Sequence, residues 1–579
     1  MNLIDWLIVI LLNGSIIVYG IRLSRGVQSS ADWFLAGRTL PWWLVGVSMY
    51  ATAIDASDLV ADSGGTYTLG LSYFVTNWVG IVGGWLLGAF VIYPSIYRAG
   101  MYTNAEYLEA RFSPSVRVLC AFIQVQYRTL VLAIIATTLY LTLSIVCGWG
   151  VEAWWGVALI AALATVYTAL GGLKSVAVTD SLQFAVMTVA GLIIWSLVWN
   201  EVGGWNGISQ RLNDHQTGLA AELLHVNYDN VQELNVGDKD AATIERRLII
   251  GGTYDASTGV ITRRTPSWLV ALAFMIVGVA YSIVNHTQTM RMFAAKSEWD
   301  MKMSVWVASA AMLVMSFFNL SMGVMGRALF PDVGELPHGA ADSVYPHLVN
   351  QFSITGLKGI VVAGVLAASF STFDSIGSTL SALLTRDVYA RLFVHDRDDR
   401  HYMRVGQLLT PLIIAGSFLY VPFMKGGMLL FYLDLTSTFV IPLLTLFLMG
   451  SLTRVHRRTG LIGILAGAGY GVLRLIAGPI AETYGIQILP AVMTNSFAAY
   501  PFSILVTAGT MVAVSLFIGW LPKGDLSHVE QPGWLRTSQL AIQQLDASVD
   551  QEPAARWPPL LLASGAFVIG CWLSFVVFW

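Results

Sequence analysis

The residues Tyr50-Ala-Thr-Ala-Ile-Asp-Ala-Ser-Asp-Leu-Val-Ala-Asp-Ser-Gly-Gly-Thr, positions 50–66, interrupt an apolar run that would otherwise be long enough to cross a bilayer. A plain span would carry leucine and valine here. Instead Asp55, Asp58 and Asp62 stand within one segment, followed by Gly64 and Gly65. One aspartate at the centre of a membrane helix costs roughly 2.5–3.5 kcal/mol on insertion scales. That cost is tolerable where the carboxylates face a wet cavity, an ion or a partner group. The other reading is a stretch near the outer interface that is simply hydrated. A polar, glycine-rich interruption of a hydrophobic segment is also the mark of a discontinuous transmembrane helix.

Around this stretch the whole chain reads as lipid-embedded. Of 579 residues, 56% are apolar and only 12% charged, and the mean hydropathy is +0.65. So few charges cannot cover a water-facing surface. Stretches able to cross about 30 Å at 1.5 Å per residue recur at 3–21, 41–63, 72–95, 117–146, 152–170, 178–199 and 267–288. They continue at 303–327, 355–386, 405–424, 428–450, 460–478, 500–520 and 558–578. The pattern predicts an all-α polytopic membrane protein of about fourteen transmembrane helices. A net charge of −3 provides no basic field for nucleic acid. Cys120, Cys147 and Cys571 lie in or beside apolar runs without metal-ligand spacing and read as packing residues. The first run lacks a cationic leader and a small-residue cleavage pattern, so it reads as a retained helix and not as a secretory signal.

The basic residues between the runs set an orientation. Arg22, Arg25 and Arg38 fall in the first loop, Arg98, Arg111 and Arg117 in the third, and Lys174 in the fifth. Arg291, Lys296 and Lys302 fall in the seventh; Arg386, Arg391, Arg397, Arg400 and Arg404 in the ninth; and Arg454, Arg457 and Arg458 in the eleventh. All these loops share one parity. They are predicted to be cytoplasmic, with both termini outside, in an integral plasma (inner) membrane protein. The one long opposite loop, 200–266, is polar, and Tyr254-Asp-Ala-Ser-Thr-Gly within it reads as a turn or short hairpin. The polar segment 523–557 is expected to be a cytoplasmic linker carrying a short surface helix.

A second segment is interrupted like the first, with Gly278, Tyr281, Ser282, Asn285 and His286 inside the run at 267–288. Five helices counted from each interruption give two halves, 41–199 and 267–452. A leading helix at 1–22 precedes them, the loop 200–266 separates them, and three further helices follow in 453–579. Asp55, Ser57 and Asn285, beside the interruptions, are candidates for a polar cavity. In the run at 355–386, hydroxyls recur at Ser371, Ser375, Ser378, Thr379 and Ser381, largely on one helix face. Such faces commonly serve close helix packing in membranes. Ser371 and Thr372 can equally offer two oxygens to a hard cation, with carbonyls from an unwound partner helix completing the shell.

Several stretches together resemble the sodium/solute symporter family, which includes sodium/glucose, proline and sialic-acid carriers. They are Phe34-Leu-Ala-Gly-Arg-Thr-Leu-Pro-Trp-Trp, Gly171-Gly-Leu-Lys-Ser-Val-Ala-Val-Thr-Asp-Ser-Leu-Gln and Arg291-Met-Phe-Ala-Ala-Lys-Ser, then Ala367 through Ser375 and Thr385-Arg-Asp-Val-Tyr. They run through nearly the whole chain in the family's order. The resemblance implies a leucine-transporter type of fold, a five-plus-five inverted repeat with one helix before it and three after. It implies a sodium site built from the carbonyls of Ala51, Ile54 and Ala368 and the hydroxyls of Ser371 and Thr372. It also places Asp180 on the sodium exit path and Tyr281 at an inner gate beneath the solute. For Asp180 the alternative is a carboxylate favoured at a helix N-terminus; for Tyr281 it is plain packing.

At positions matching the solute contacts of the bacterial sugar carrier the chain has Ala53, Asp58, Asn77, Met312 and Asp434. An amide and a lysine of that pattern are therefore missing. Asp58, Asn77 and Asp434 suit the hydroxyls of a sugar or polyol, and two carboxylates also suit a cationic amine. They argue against an anionic solute unless an arginine or lysine enters from elsewhere. The resemblance is strongest to the sugar branch. The expected function is thus sodium-coupled import of a small polar solute, with Na+ as coupling ion, no organic cofactor, and solute, sodium and the lipid bilayer as partners. No GxxxxGK[ST] stretch offers an ATP site, and the scattered histidines offer no catalytic constellation for an enzyme. A transporter-like sensor is the third reading; the chain ending in a membrane helix and not in a signalling module weighs against it.

Overall fold

The computed structural model describes residues 1–24, 29–236, 241–423, 428–521, 530–549 and 558–579. Arg25 and the outer parts of the linker expected at 523–557 lie outside them. Among the described residues, twelve helices are long and apolar enough to cross a membrane, or thirteen when a pair bent by 51° is counted as one span. The remaining expected span, 152–170, is the first part of the long helix Ala153–Val202. It runs into the next span through Gly172, whose φ of +59° turns the chain without ending the helical hydrogen bonding.

The helices that build the site are α1 (Leu3–Ser24), α2 (Trp42–Ala53), α3 (Ala56–Leu69), α4 (Pro114–Val146), α5 (Ala153–Val202) and α6 (Ser267–Val284). They continue with α7 (His286–Phe293), α8 (Glu298–Leu329), α9 (Leu357–Leu383), α10 (Thr459–Tyr484) and α11 (Gly533–Val549). The span containing α9 lies at the centre, 94% of its apolar window being buried, against 28% for α1 and 22% for the last span, Pro559–Val577. The hydroxyl face of α9 is buried throughout. It packs along α5, while α8 packs against α2 and α3.

Both expected interruptions are helix breaks, and side chains cause them. Ile54 (φ −110°, ψ 108°) and Asp55 (φ −117°, ψ −171°) are extended. The Asp55 carboxylate accepts from the Ser57 amide at 2.7 Å and from the Ser57 hydroxyl. The Asp58 carboxylate accepts from the Asp55 amide at 2.6 Å. This is a capping box that starts α3 and so ends α2. At the second break Asn285 caps α7, accepting from the Thr287 amide at 3.0 Å.

The long loop adds a small sheet to the otherwise helical fold. Strands β1 (Asn230–Asn235), β2 (Thr253–Asp255) and β3 (Val260–Thr265) pair antiparallel in the order β1-β3-β2. The expected hairpin turns at Asp255, which accepts from the Ser257 amide at 2.8 Å. The described middle of the linker is α11, and it docks: Leu535 and Ile542 are fully buried and Trp534 stacks on Tyr402 at 4.0 Å.

Candidate functional site

The break between α2 and α3 exposes carbonyls at the negative end of a helix dipole. In an unbroken helix the Asp55 amide would bond the Ala51 carbonyl; here it turns to Asp58 instead. The freed Ala51 carbonyl lies 3.3 Å from the Ser371 hydroxyl on α9. One residue on, the Thr372 hydroxyl lies 3.2 Å from the Ala368 carbonyl. The Ser371 hydroxyl also lies 2.6 Å from the Asp180 carboxylate, the shorter of its two contacts. Neutral carbonyl and hydroxyl oxygens converging at a helix C-terminus fit a hard monovalent cation.

Asp180 is fully buried and meets a resident cation. Arg291 of α7 reaches it at 2.9 Å, donates to Ser48 at 2.7 Å and also contacts Ser375. Ser48 donates to Asp180 at 2.6 Å. Asp180 thus links the hydroxyls of α9 to both broken helices. Tyr281 closes over the same end of α2, donating to the Thr52 carbonyl at 3.1 Å and accepting from Gln288 at 3.1 Å.

Beside the break lies a small cavity of about 70 Å³. Three carboxylates, Asp55, Asp58 and Asp62, share its wall with Asn77, and Ala53 and Ser57 also line it. Asn77 donates to Ser316 at 3.2 Å. Tyr73, Tyr281 and Tyr432 supply aromatic faces. The cation in the wall is Arg128 of α4, 1% exposed. Its guanidinium stands 5.5 Å from the Tyr127 ring centre and 5.8 Å from that of Tyr281. At the rim, Met428 donates its amide to Asp342 at 3.1 Å; burial pushes that carboxyl, which lies outside the spans, up to about 6.

The arginine-rich end of the bundle holds a second group of buried charges. Arg117 contacts Asp387 at 2.6 Å, Glu109 at 2.8 Å and Glu106 at 3.3 Å. Arg386 pairs with Glu106 at 3.0 Å and Arg391 with Glu109 at 2.6 Å. The docked linker completes the group: Gln531 accepts from Arg117 at 2.9 Å, Ser538 from Arg386 at 3.2 Å, and the Trp534 indole donates to Asp399 at 2.9 Å.

The structure therefore brings Ala51, Ser371 and Asp180 together at the break, with Thr372 beside Ser371 bonded to Ala368 within α9, and Asp55, Ser57, Asp58, Asn77 and Tyr281 together in the cavity. Ile54 is the extended residue of the break itself. Two expectations for the cavity are corrected. Asp434 is not among the residues lining it, because its carboxylate pairs with Arg474 of α10 at 3.0 Å. Asn285 does not line it either; its Oδ1 caps α7, and its Nδ2 has no hydrogen-bond partner among the described residues. Arg128, Asp62 and the Arg291 bridge to Asp180 complete what the sequence reading had not assembled.

Comparison with known proteins agrees with this architecture. The Sodium:solute symporter family profile matches residues 33–467. The human sodium/glucose cotransporter 4 is 27% identical over 579 aligned positions, covering 93% of this chain and 79% of its own length. The sodium/myo-inositol cotransporter 2 of Bos taurus is 25% identical, covering 94% and 80%. Among solved structures, a substrate-bound, outward-open Na+-coupled sialic acid symporter aligns with a TM-score of 0.68 at 17% identity, covering 89% of this chain and 98% of that one. Mhp1, a nucleobase-cation-symport-1 family transporter, aligns at 0.50 and 12% identity, covering 90% and 99%. These likenesses show a fold of the leucine-transporter type. The matched region takes in both helix breaks, the hydroxyl face of α9 and Asp180, and the chain belongs to the sodium:solute symporter family, a family of sodium-coupled transporters and not of enzymes.

Proposed function

We propose that this symporter imports a small hydroxylated solute by alternating access, with one sodium ion held by the carbonyls of Ala51, Ile54 and Ala368 and the hydroxyls of Ser371 and Thr372. The observation that carries the ion site is the Ala51 carbonyl, released from its helix by the Asp55–Asp58 capping box and set against Ser371. A hydroxylated solute is supported by the sugar- and inositol-carrying relatives and by the carboxylates and Asn77 in the cavity wall. In this reading sodium binds first and clamps α2 against α9. The solute then sits above Tyr281, and the arginine-rich end, taken as cytoplasmic with both termini outside, opens to release both. Asp180 passes the ion on as its link to Ser371 loosens.

The energetics suffice without ATP. One charge moving inward contributes about 2.3 kcal/mol per 100 mV, and a tenfold sodium gradient adds about 1.4 kcal/mol. Together, about 3.7 kcal/mol supports several-hundredfold accumulation of a neutral solute. Sodium-dependent uptake into proteoliposomes tests the proposal. Thr372→Ala should raise the sodium concentration for half-maximal uptake by about tenfold, equivalent to one lost ligand of about 1.4 kcal/mol. An unchanged sodium requirement would remove Thr372 from the shell.

A further inference from the structure

The cavity presents one donor fork and one acceptor that the protein itself leaves unmatched. Arg128 is buried, yet its Nε and Nη2 have no hydrogen-bond partner among the described residues. Tyr127 and Tyr281 stand beside the guanidinium and orient it without satisfying those N–H groups. Arg117 and Arg291, equally buried, are each held by several oxygens. On the acceptor side Asp55 and Asp58 are committed to capping α3, whereas Asp62, whose carboxyl also meets Asp58 and Tyr73, keeps an Oδ2 without a hydrogen-bond partner among the described residues.

An unmatched guanidinium in a water-poor pocket is costly. The group that best repays its planar fork is a carboxylate, bound by two parallel N–H bonds. A lone hydroxyl fills only one arm. The unmatched Asp62 oxygen calls in turn for a donor, a hydroxyl or an ammonium. We propose that Arg128 is the specificity-determining residue of the cavity, and that the solute bears a carboxylate seated on Arg128 and a hydrogen-bond donor directed at Asp62. The inference rests on the symporter reading above and narrows its solute from any hydroxylated molecule to one carrying an acid group. It also supplies the cation whose absence from the matched positions had argued against an anionic solute.

The test is sodium-dependent binding to the purified full-length protein, read by thermal shift and by displacement. The probes are D-glucose and myo-inositol, D-glucuronate and D-gluconate, and the zwitterions L-serine and L-proline. At saturating sodium at least one carboxylate probe should bind ten or more times tighter than the neutral sugars. Sugar acids or amino acids prevailing would identify the donor as hydroxyl or ammonium. Arg128→Gln should weaken the preferred carboxylate at least thirtyfold and leave the sodium-induced shift in place, and Arg128→Lys should recover part of the loss. If Arg128→Gln does not fold, the wild-type panel and Arg128→Lys still decide. Neutral sugars binding as tightly as their acids, no carboxylate in the panel binding, or unchanged selectivity in the variants would each overturn the proposal. Sodium-driven uptake of a neutral sugar would overturn it while sparing the symporter reading; uptake of solute without any sodium dependence would remove that reading itself.

Discussion

Two of the buried charge groups in this molecule are built on opposite plans. At the arginine-rich end, Arg117, Arg386 and Arg391 share Glu106, Glu109 and Asp387 in a network that Gln531 and Ser538 complete. In the cavity, Arg128 and Asp62 keep unmatched atoms while sharing a wall. Taking an ion out of water costs several kcal/mol unless paired groups return it. The ion-paired network therefore closes one end of the bundle, though Asp387 Oδ2 keeps no partner among the described residues, whereas Arg128 in the cavity meets no carboxylate at ion-pair distance among them and waits for matter from outside. The difference separates residues that hold a state from residues that receive a ligand, although both are charged, buried and within membrane helices or at their ends.

The sharpest way to break this contrast is to remove one arginine from each group. Arg117→Ala leaves three carboxylates short of a partner and should destabilise the protein by about 3–5 kcal/mol, measured by thermal or denaturant unfolding in detergent. Arg128→Ala breaks no ion pair among the described residues and should stay within about 1 kcal/mol of wild type. Equal losses would erase the distinction. A smaller effect is expected at the helix break. Asp55→Ala removes the cap of α3 and should cost about 1–2 kcal/mol, whereas Asp55→Asn, an equally good cap, should cost only a few tenths. If both variants unfold alike, Asp55 acts through its charge and belongs with the ligand-receiving group.

The smallest effect lies at the rim. Asp342 titrates near 6 because burial disfavours its carboxylate, against about 3.8 for an ordinary aspartate. A pKa raised in the folded state means the native protein holds the proton more tightly than the unfolded chain. This site's contribution to stability therefore grows as pH falls from 7 through 6 toward 4. Asp342→Asn should flatten that part of the profile of melting temperature against pH.

The membrane fold was legible because lipid enforces long apolar runs, and the break at 54–55 was legible because three aspartates and two glycines fall within one apolar segment. The proposed ion-site residues follow from the family resemblance, and of the five only the Ala51 and Ile54 carbonyls belong to the break. Nothing in the apolar run up to 170 shows that its helix continues through Gly172, where the chain is redirected, into the next span. Asp434 was misplaced because its partner, Arg474, lies 40 positions away on a helix outside the expected core. Arg128 had a signal that went unused. It sits fourteen residues beyond Pro114, about 21 Å along a helix at 1.5 Å per residue, too deep for its charge to reach the interface. Which face of a 33-residue helix it occupies, however, is decided by packing across the fold.

Gly80 and Gly278 bring two helices into backbone contact, since a Cβ on Gly278 would fall 2.7 Å from Gly80 Cα. Where main chains touch, neither helix slides past the other without a clash. The Thr76–Arg98 helix and α6 thus form a fixed baseline within a protein whose other parts rearrange. Spin labels on that pair supply an internal ruler, a distance against which any movement of α9 or of the arginine-rich end can be calibrated in the same sample.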